Sequence, residues 1–311
     1  MTVLRHRFTL PVLLSGASLL ALGGCASKPA AAPAAPVAQP AAPAPCVGDA
    51  QVKQWLTDYL AHRPTANPPT NLDTASAACT RAKWQQQLAS VAGPLVGYKA
   101  GLTNPAVQKR FNTTEPVWGA LYQRMLLRNG STVPAAFAAR PLFEADMLVR
   151  VKSAAINQAR TPAEVLANVD QVIPFIELPD LMVEAPPKLN GMALSAINVG
   201  ARLGVVGQPI AVPRDAAARQ RLLDGLQAMK VQVSDASGVL SSGKGSDILG
   251  HPLNAVVWLS GALRQQGLQL QPGQVVSLGS FSPLSPPKAG QQVTVQYEGL
   301  PGARPVTVNF R

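Results

Sequence analysis

Hydrophobic and polar positions follow two rhythms along this chain, and the change falls near Leu95. In VKQWLTDYLAHRP, Val52, Trp55, Leu56, Tyr59 and Leu60 recur at helical spacing, and Pro64 closes the pattern. A second helix is predicted from Asp73, a good N-cap residue, through TASAACTRAKWQQQLASV to Gly93-Pro94. From Leu95 the texture becomes short runs of Val, Ile, Leu and Phe broken by Gly or Pro about every ten residues, which is the spacing of a β-rich domain. The predicted strands are LVGYKAG, LFEADMLVRVK, VIPFIEL, SAINVGARLGVVG, KVQVSDASGVLSSG, QVVSLGSFS, QQVTVQYEG and RPVTVNFR, with Asp235 to Gly238 as a hairpin turn. Helices are expected at TPAEVLANV behind an N-cap Thr161, at DAAARQRLLDGLQAM, and at HPLNAVVWLSGALRQQG, where Pro252 suits a first turn. The fold class read from these patterns is α+β, with an N-terminal helical cap over residues 47–94 and a β-rich domain over 95–311.

The first 46 residues obey neither rhythm. MTVLRHRF is a short basic start, TLPVLLSGASLLAL an apolar run too short for a comfortable membrane span, and LGGC ends it with small residues. Residues 1–24 resemble a bacterial lipoprotein signal, with Leu22-Gly23-Gly24-Cys25 matching the lipobox pattern. That resemblance implies cleavage before Cys25 and acylation of its sulfur and amino group, palmitate being one such chain. Ala26 follows where an inner-membrane retention signal would place Asp, so the expected location is the periplasmic face of the outer membrane. An ordinary secretory leader or an uncleaved anchor is the plainer alternative. Residues 25–46 carry the Ala- and Pro-rich run ASKPAAAPAAPVAQPAAPAP, expected to form a semi-rigid tether of roughly 3 Å per residue.

With Cys25 committed to lipid, Cys46 and Cys79 remain, and in an oxidising compartment they are expected to pair. Two free thiols are the alternative. The chain is 47% hydrophobic and 14% charged, enough to bury a sizeable core, and its formal charge is +11, or +9 once Arg5 and Arg7 of the leader are discounted. Its basic residues do not interleave with aromatics in runs, so a nucleic acid partner is not expected; the surplus favours anionic small molecules and lipid headgroups, or simply a solvated basic surface.

Candidate chemistry begins in RPLFEADMLVRV. Glu144 and Asp146 alternate with the apolar Phe143, Ala145, Met147, Val149 and Val151, so both acids share one face of a strand, about 7 Å apart at a rise of about 3.3 Å per residue. Such carboxylates repel unless water or a cation lies between them; a hard divalent ion suits them, and an exposed edge strand is the competing account. Glu177, in the otherwise apolar VIPFIELPD, is a third candidate ligand or else marks a strand end. Lys99 in VGYKAGLTN either holds a substrate carboxylate and moves a proton or is surface charge. His251 in LGHPLNAVVWL is a candidate base or ligand, or a helix-start capping group. No serine sits in GxSxG, and zinc spacing, GxGxxG and P-loop motifs are lacking in the sequence.

The ordered stretches GYKAGLTNPAVQKRF, EPVWGALY, FEADM, PFIELPD, NGMALSAINVGARLGVVG, LGHPLNAVVWL and SPPKAGQQVTV resemble the 2-keto-4-pentenoate hydratase and 4-oxalocrotonate decarboxylase group of the fumarylacetoacetate hydrolase superfamily, over about Leu95 to Arg311. The resemblance implies a mixed β-roll or sandwich with a helical cap, and Mg2+ or Mn2+ held by Glu144, Asp146 and Glu177. It implies a small anionic 2-oxo acid as substrate, Lys99 and Asn198 as substrate-binding residues, Lys99 and His251 in catalysis, and compatibility with a homo-oligomer. Its chemistry would be metal-assisted enolisation leading to hydration, decarboxylation or carbon–carbon cleavage. Three positions depart from the group's pattern: Val117 stands where an aspartate is usual, Ile197 replaces an acid and Gly200 a hydroxyl. Proton-handling groups typically contribute about 10² to 10⁴-fold, so a catalytically silent ligand-binding or scaffolding lipoprotein is the alternative.

Overall fold

The computed structural model describes residues 45–311; the leader, Cys25 and the tether up to residue 44 lie outside the described residues. Two helices come first, α1 (Asp49–Leu60) and α2 (Thr74–Ala92). Asp73 caps α2 by accepting from the Ser76 amide. The helical spacing read in α1 buries Val52, Trp55 and Tyr59, and Trp55 and Tyr59 meet Trp84 of α2 edge-on at 6.1 and 5.5 Å. Cys46 and Cys79 are joined by a disulfide that ties the entry of α1 to α2. Among the described residues no helix is long and apolar enough to cross a membrane.

The remaining elements, in chain order, are β1 (Leu95–Gly101), α3 (Pro105–Arg110), β2 (Val117–Tyr122), β3 (Leu126–Arg128), β4 (Thr132–Val133), β5 (Glu144–Val151), α4 (Pro162–Ala167), β6 (Val169–Leu178), α5 (Gly191–Ala196), β7 (Leu203–Val206), β8 (Ile210–Ala211), α6 (Ala216–Ala228), β9 (Lys230–Asp235), β10 (Gly238–Lys244), α7 (Asn254–Arg264), β11 (Val275–Ser277), β12 (Gln292–Glu298) and β13 (Val306–Phe310). The strands form two sheets. The larger runs β2-β1-β11-β5-β6-β7-β3 with β8 on β6, and the smaller runs β10-β9-β12-β13-β4. The mixed α+β architecture agrees with the sequence reading.

The position of β5 decides one question left open by its alternation. It lies inside the larger sheet between β11 and β6, so its acids sit on no edge. The antiparallel register sets Glu144 directly opposite Glu177 and Asp146 opposite Phe175. The smaller sheet is pinned beneath this point by Tyr297 of β12, whose hydroxyl donates to the Asp146 backbone carbonyl and accepts from the Phe175 amide at 3.1 Å.

One predicted strand is replaced. SAINVGARLGVVG is strand only at Leu203–Val206; Ser195 and Ala196 end α5, and Asn198, Val199 and Gly200 form a left-handed turn with φ of 56, 54 and 63°. The run was apolar enough for either reading, and side-chain bonding by Asn198 overrides the β preference of Val199. His251 and Pro252 also fall in a turn just before α7, which begins at Asn254.

Candidate functional site

The site is built on the open ends of β1, β5 and β6. Lys99 of β1 is 2% exposed, and its ammonium donates to Glu177 of β6 in a buried ion pair and to the Val199 carbonyl at 3.2 Å. Glu144, the cross-strand partner of Glu177, is half-buried and faces the same space. Asp146 lies one step deeper, fully buried, with both carboxylate oxygens taken: one accepts from the Gly279 amide at 3.0 Å and from the Met147 amide, the other from the Ser277 hydroxyl.

Three acids here share one ammonium, and burial makes their charged forms costly. Burial, then the Glu177 charge, pushes the Asp146 carboxyl up to about 8, and the same two causes raise Glu144 well above the ordinary glutamate range. Lys99, Glu144 and Glu177 line a cavity of about 680 Å³, together with polar groups of Thr103, Ser280 and Ser282. Asp146 does not line it.

Whether these residues suit a divalent ion has a two-part answer. In chemistry they do: carboxylate and hydroxyl oxygens are what hard cations take, and a dication would let acids that burial keeps protonated ionise. In arrangement they are not yet a shell: among the described residues no group of three or more His, Cys, Asp or Glu is placed to hold a metal. The reason is local, because Lys99 closes Glu177 and Ser277, Met147 and Gly279 close Asp146. A cation at the cavity floor therefore requires that Glu177 exchange its lysine for the ion.

The left-handed turn aims the carbonyl that helps hold Lys99. A β-branched residue with positive φ is strained, and such strain persists only where surroundings enforce it. Asn198 supplies that enforcement. Its side-chain oxygen accepts from the Ala120 amide at 2.7 Å and from Gln85 of α2 at 2.8 Å, while its amide donates to the Ala120 carbonyl at 3.0 Å. Asn198 is fully buried and outside the cavity lining, so it braces the turn and does not face the cavity as a substrate-binding group would.

His251 is likewise not brought to the acids. Its ring accepts from the Leu253 amide at 3.1 Å and contacts the Leu223 carbonyl at 3.2 Å, next to Asp224 and away from the cavity lining, so it serves the start of α7. The three departures are physical facts of the fold. Val117 and Ile197 are buried apolar side chains. Gly200 has φ of +63°, and a Cβ there would meet the Asp180 carbonyl at 2.9 Å, so a hydroxyl-bearing residue does not fit this backbone. Sequence reasoning missed Val199, Ser277, Gly279 and Ser280. The serine-rich SLGSFSP was the available signal, but nothing local shows that it folds onto β5, more than 130 residues earlier.

No family model matches the chain. It is 30% identical over 210 residues to the 2-keto-4-pentenoate hydratase of Paraburkholderia phymatum, an alignment covering 68% of this chain and 77% of that enzyme. It is 27% identical over 206 residues to a 4-oxalocrotonate decarboxylase of Pseudomonas putida, covering 66% of this chain and 75% of the relative. The fold matches the 4-oxalocrotonate decarboxylase from Pseudomonas putida G7, solved with magnesium and adipate, with a TM-score of 0.73 at 22% identity over 85% of this chain and 97% of that one.

Proposed function

Because the chain belongs to the 2-keto-4-pentenoate hydratase and 4-oxalocrotonate decarboxylase group of the fumarylacetoacetate hydrolase superfamily, we propose that it is a divalent-metal-dependent enzyme of 2-oxo carboxylic acids that works by enolisation. The observation that carries this reading is the floor of the cavity, where Glu144, Glu177 and the deeper Asp146 face a single Lys99. Glu144 and Glu177, with Asp146 behind them, would hold Mg2+ or Mn2+. A bound dication supplies Lewis-acid polarisation of the 2-oxo and carboxylate oxygens.

The remaining work falls to the chain's own groups. Once released from Glu177, the Lys99 ammonium stays tied to the Val199 carbonyl and faces the cavity, placed to hold the substrate carboxylate or to move the proton next to the 2-oxo carbon. The apolar surroundings strengthen each charge contact by keeping water out. With Val117, Ile197 and Gly200 unable to handle protons and Glu144 and Glu177 given to the metal, Lys99 is the titratable group left at this end of the lining. This favours proton transfer at carbon over activation of a water by a dedicated base. The scaffolding alternative has no observation of its own among the described residues.

Two measurements on the full chain test the reading. Mg2+ or Mn2+ should raise the melting temperature, and Glu144→Ala or Glu177→Ala should abolish that shift; no shift in the unaltered chain rules the metal out. Metal-dependent loss of enol absorbance across a panel of 2-oxo acids should then follow, and silence across the panel rules the reaction out.

From the leader's resemblance we also propose that Cys25 is acylated and anchors the protein at the periplasmic face of the outer membrane. Cys25→Ser should release it from the membrane fraction.

A further inference from the structure

The cavity is larger than its polar end needs. At roughly 30 Å³ per water-sized group, its volume of about 680 Å³ holds on the order of 20 non-hydrogen atoms, and a pentanoate-sized 2-oxo acid fills less than half of that. Most of the surplus space is apolar. Leu102, Phe111, Leu142, Leu181, Leu189 and Leu194 form its wall, and Val107 of α3 and Leu284, 40% and 39% exposed, stand at its rim. Large side chains left half in water at a cavity rim lack a partner that the rest of the fold could have provided.

The charges outside the acid end decide what kind of tail the space takes. Beyond Lys99, Glu144 and Glu177, the ionisable lining residues are Arg110 and Asp247, one of each sign. A second carboxylate on the substrate would meet no net positive charge there and would be desolvated against leucine. Resting on the proposed reaction, we propose that the substrate is a monocarboxylic 2-oxo acid with an extended apolar tail, alkyl or aryl. The 2-oxo acid head sits at Lys99 and the carboxylates, and the tail lies along the leucine wall toward Val107 and Leu284.

The test is calorimetric titration of the full chain in Mg2+ with 2-oxopentanoate, 2-oxooctanoate and 2-oxooctanedioate. Affinity should rise about three- to fourfold per added methylene from the first to the second, and the diacid should lose most of that gain. A flat or falling series, or tighter binding of the diacid, overturns the inference while leaving the reaction standing. Octanoate binding as tightly as 2-oxooctanoate overturns the 2-oxo head, and the proposed reaction with it. Leu284→Asp and Val107→Asp, at exposed positions where the fold tolerates charge, should flatten the chain-length series; an unaltered slope in both overturns the assigned wall.

Discussion

Two buried ion pairs stand a few residues apart in this molecule, and they are differently finished. Arg202 and Asp180 approach to 3.6 Å, with the guanidinium stacked on Tyr59 at 3.6 Å and donating to the Tyr59 carbonyl, and the carboxylate accepting from the amides of Ala139 and Arg140. Each charge there is matched and each group has partners. Lys99 and Glu177 are as deeply buried, yet Glu144 and Asp146 press two further acids on them beside an open cavity. A completed pair fastens the helical cap to the sheet, whereas a pair outnumbered by acids is poised to accept another cation.

The sharpest way to break this contrast is Lys99→Met. Enolisation should fall by about 10² to 10⁴-fold, and the metal-free protein should lose stability because Glu177 then lacks its counter-charge. Mg2+ should restore the melting temperature but not the rate; a variant that Mg2+ fails to rescue would make Lys99 a structural residue. Arg202→Met should cost about 3–5 kcal/mol in urea unfolding, since it strands Asp180, and Mg2+ should recover none of the loss from this change. Recovery there would erase the distinction between the pairs.

The smallest effect is the pH dependence of the metal-free chain. Because Asp146 holds its proton up to about 8 in the fold, the folded chain binds more protons than the unfolded one from the ordinary aspartate range to that value. Stability should therefore fall as pH rises through this window. In chelator the melting temperature should drop on the order of 5 °C between about pH 5 and about pH 8, and Mg2+ should remove the slope. A rising or level curve in chelator would place the missing positive charge already in the protein.

The strands that carry the acids were legible because period-two alternation in FEADMLVRV and the lone acid in VIPFIEL are local patterns. What those acids face was not, since the pairing of Glu144 with Glu177 spans 33 residues of chain and the anchors of Asp146 come from Ser277 and Gly279. The turn at Asn198 to Gly200 was misread as strand for a physical reason: valine disfavours positive φ, and the bonds that overrule it come from Ala120 and Gln85. The sequence reading puts His251 in catalysis or helix capping and Asn198 in substrate binding. Their side chains are spent on backbone groups, which no spacing reveals.

The phenol of Tyr297 carries one more consequence. Its oxygen stands between the Asp146 carbonyl and the Phe175 amide, so the separation of the two strands beneath the acids is gauged by a side chain from the other sheet. The width of the acid site is thus inherited from the closing hairpin of β12 and β13. A change in the smaller sheet that moved this one phenol would therefore alter the acid site without touching any residue that lines it.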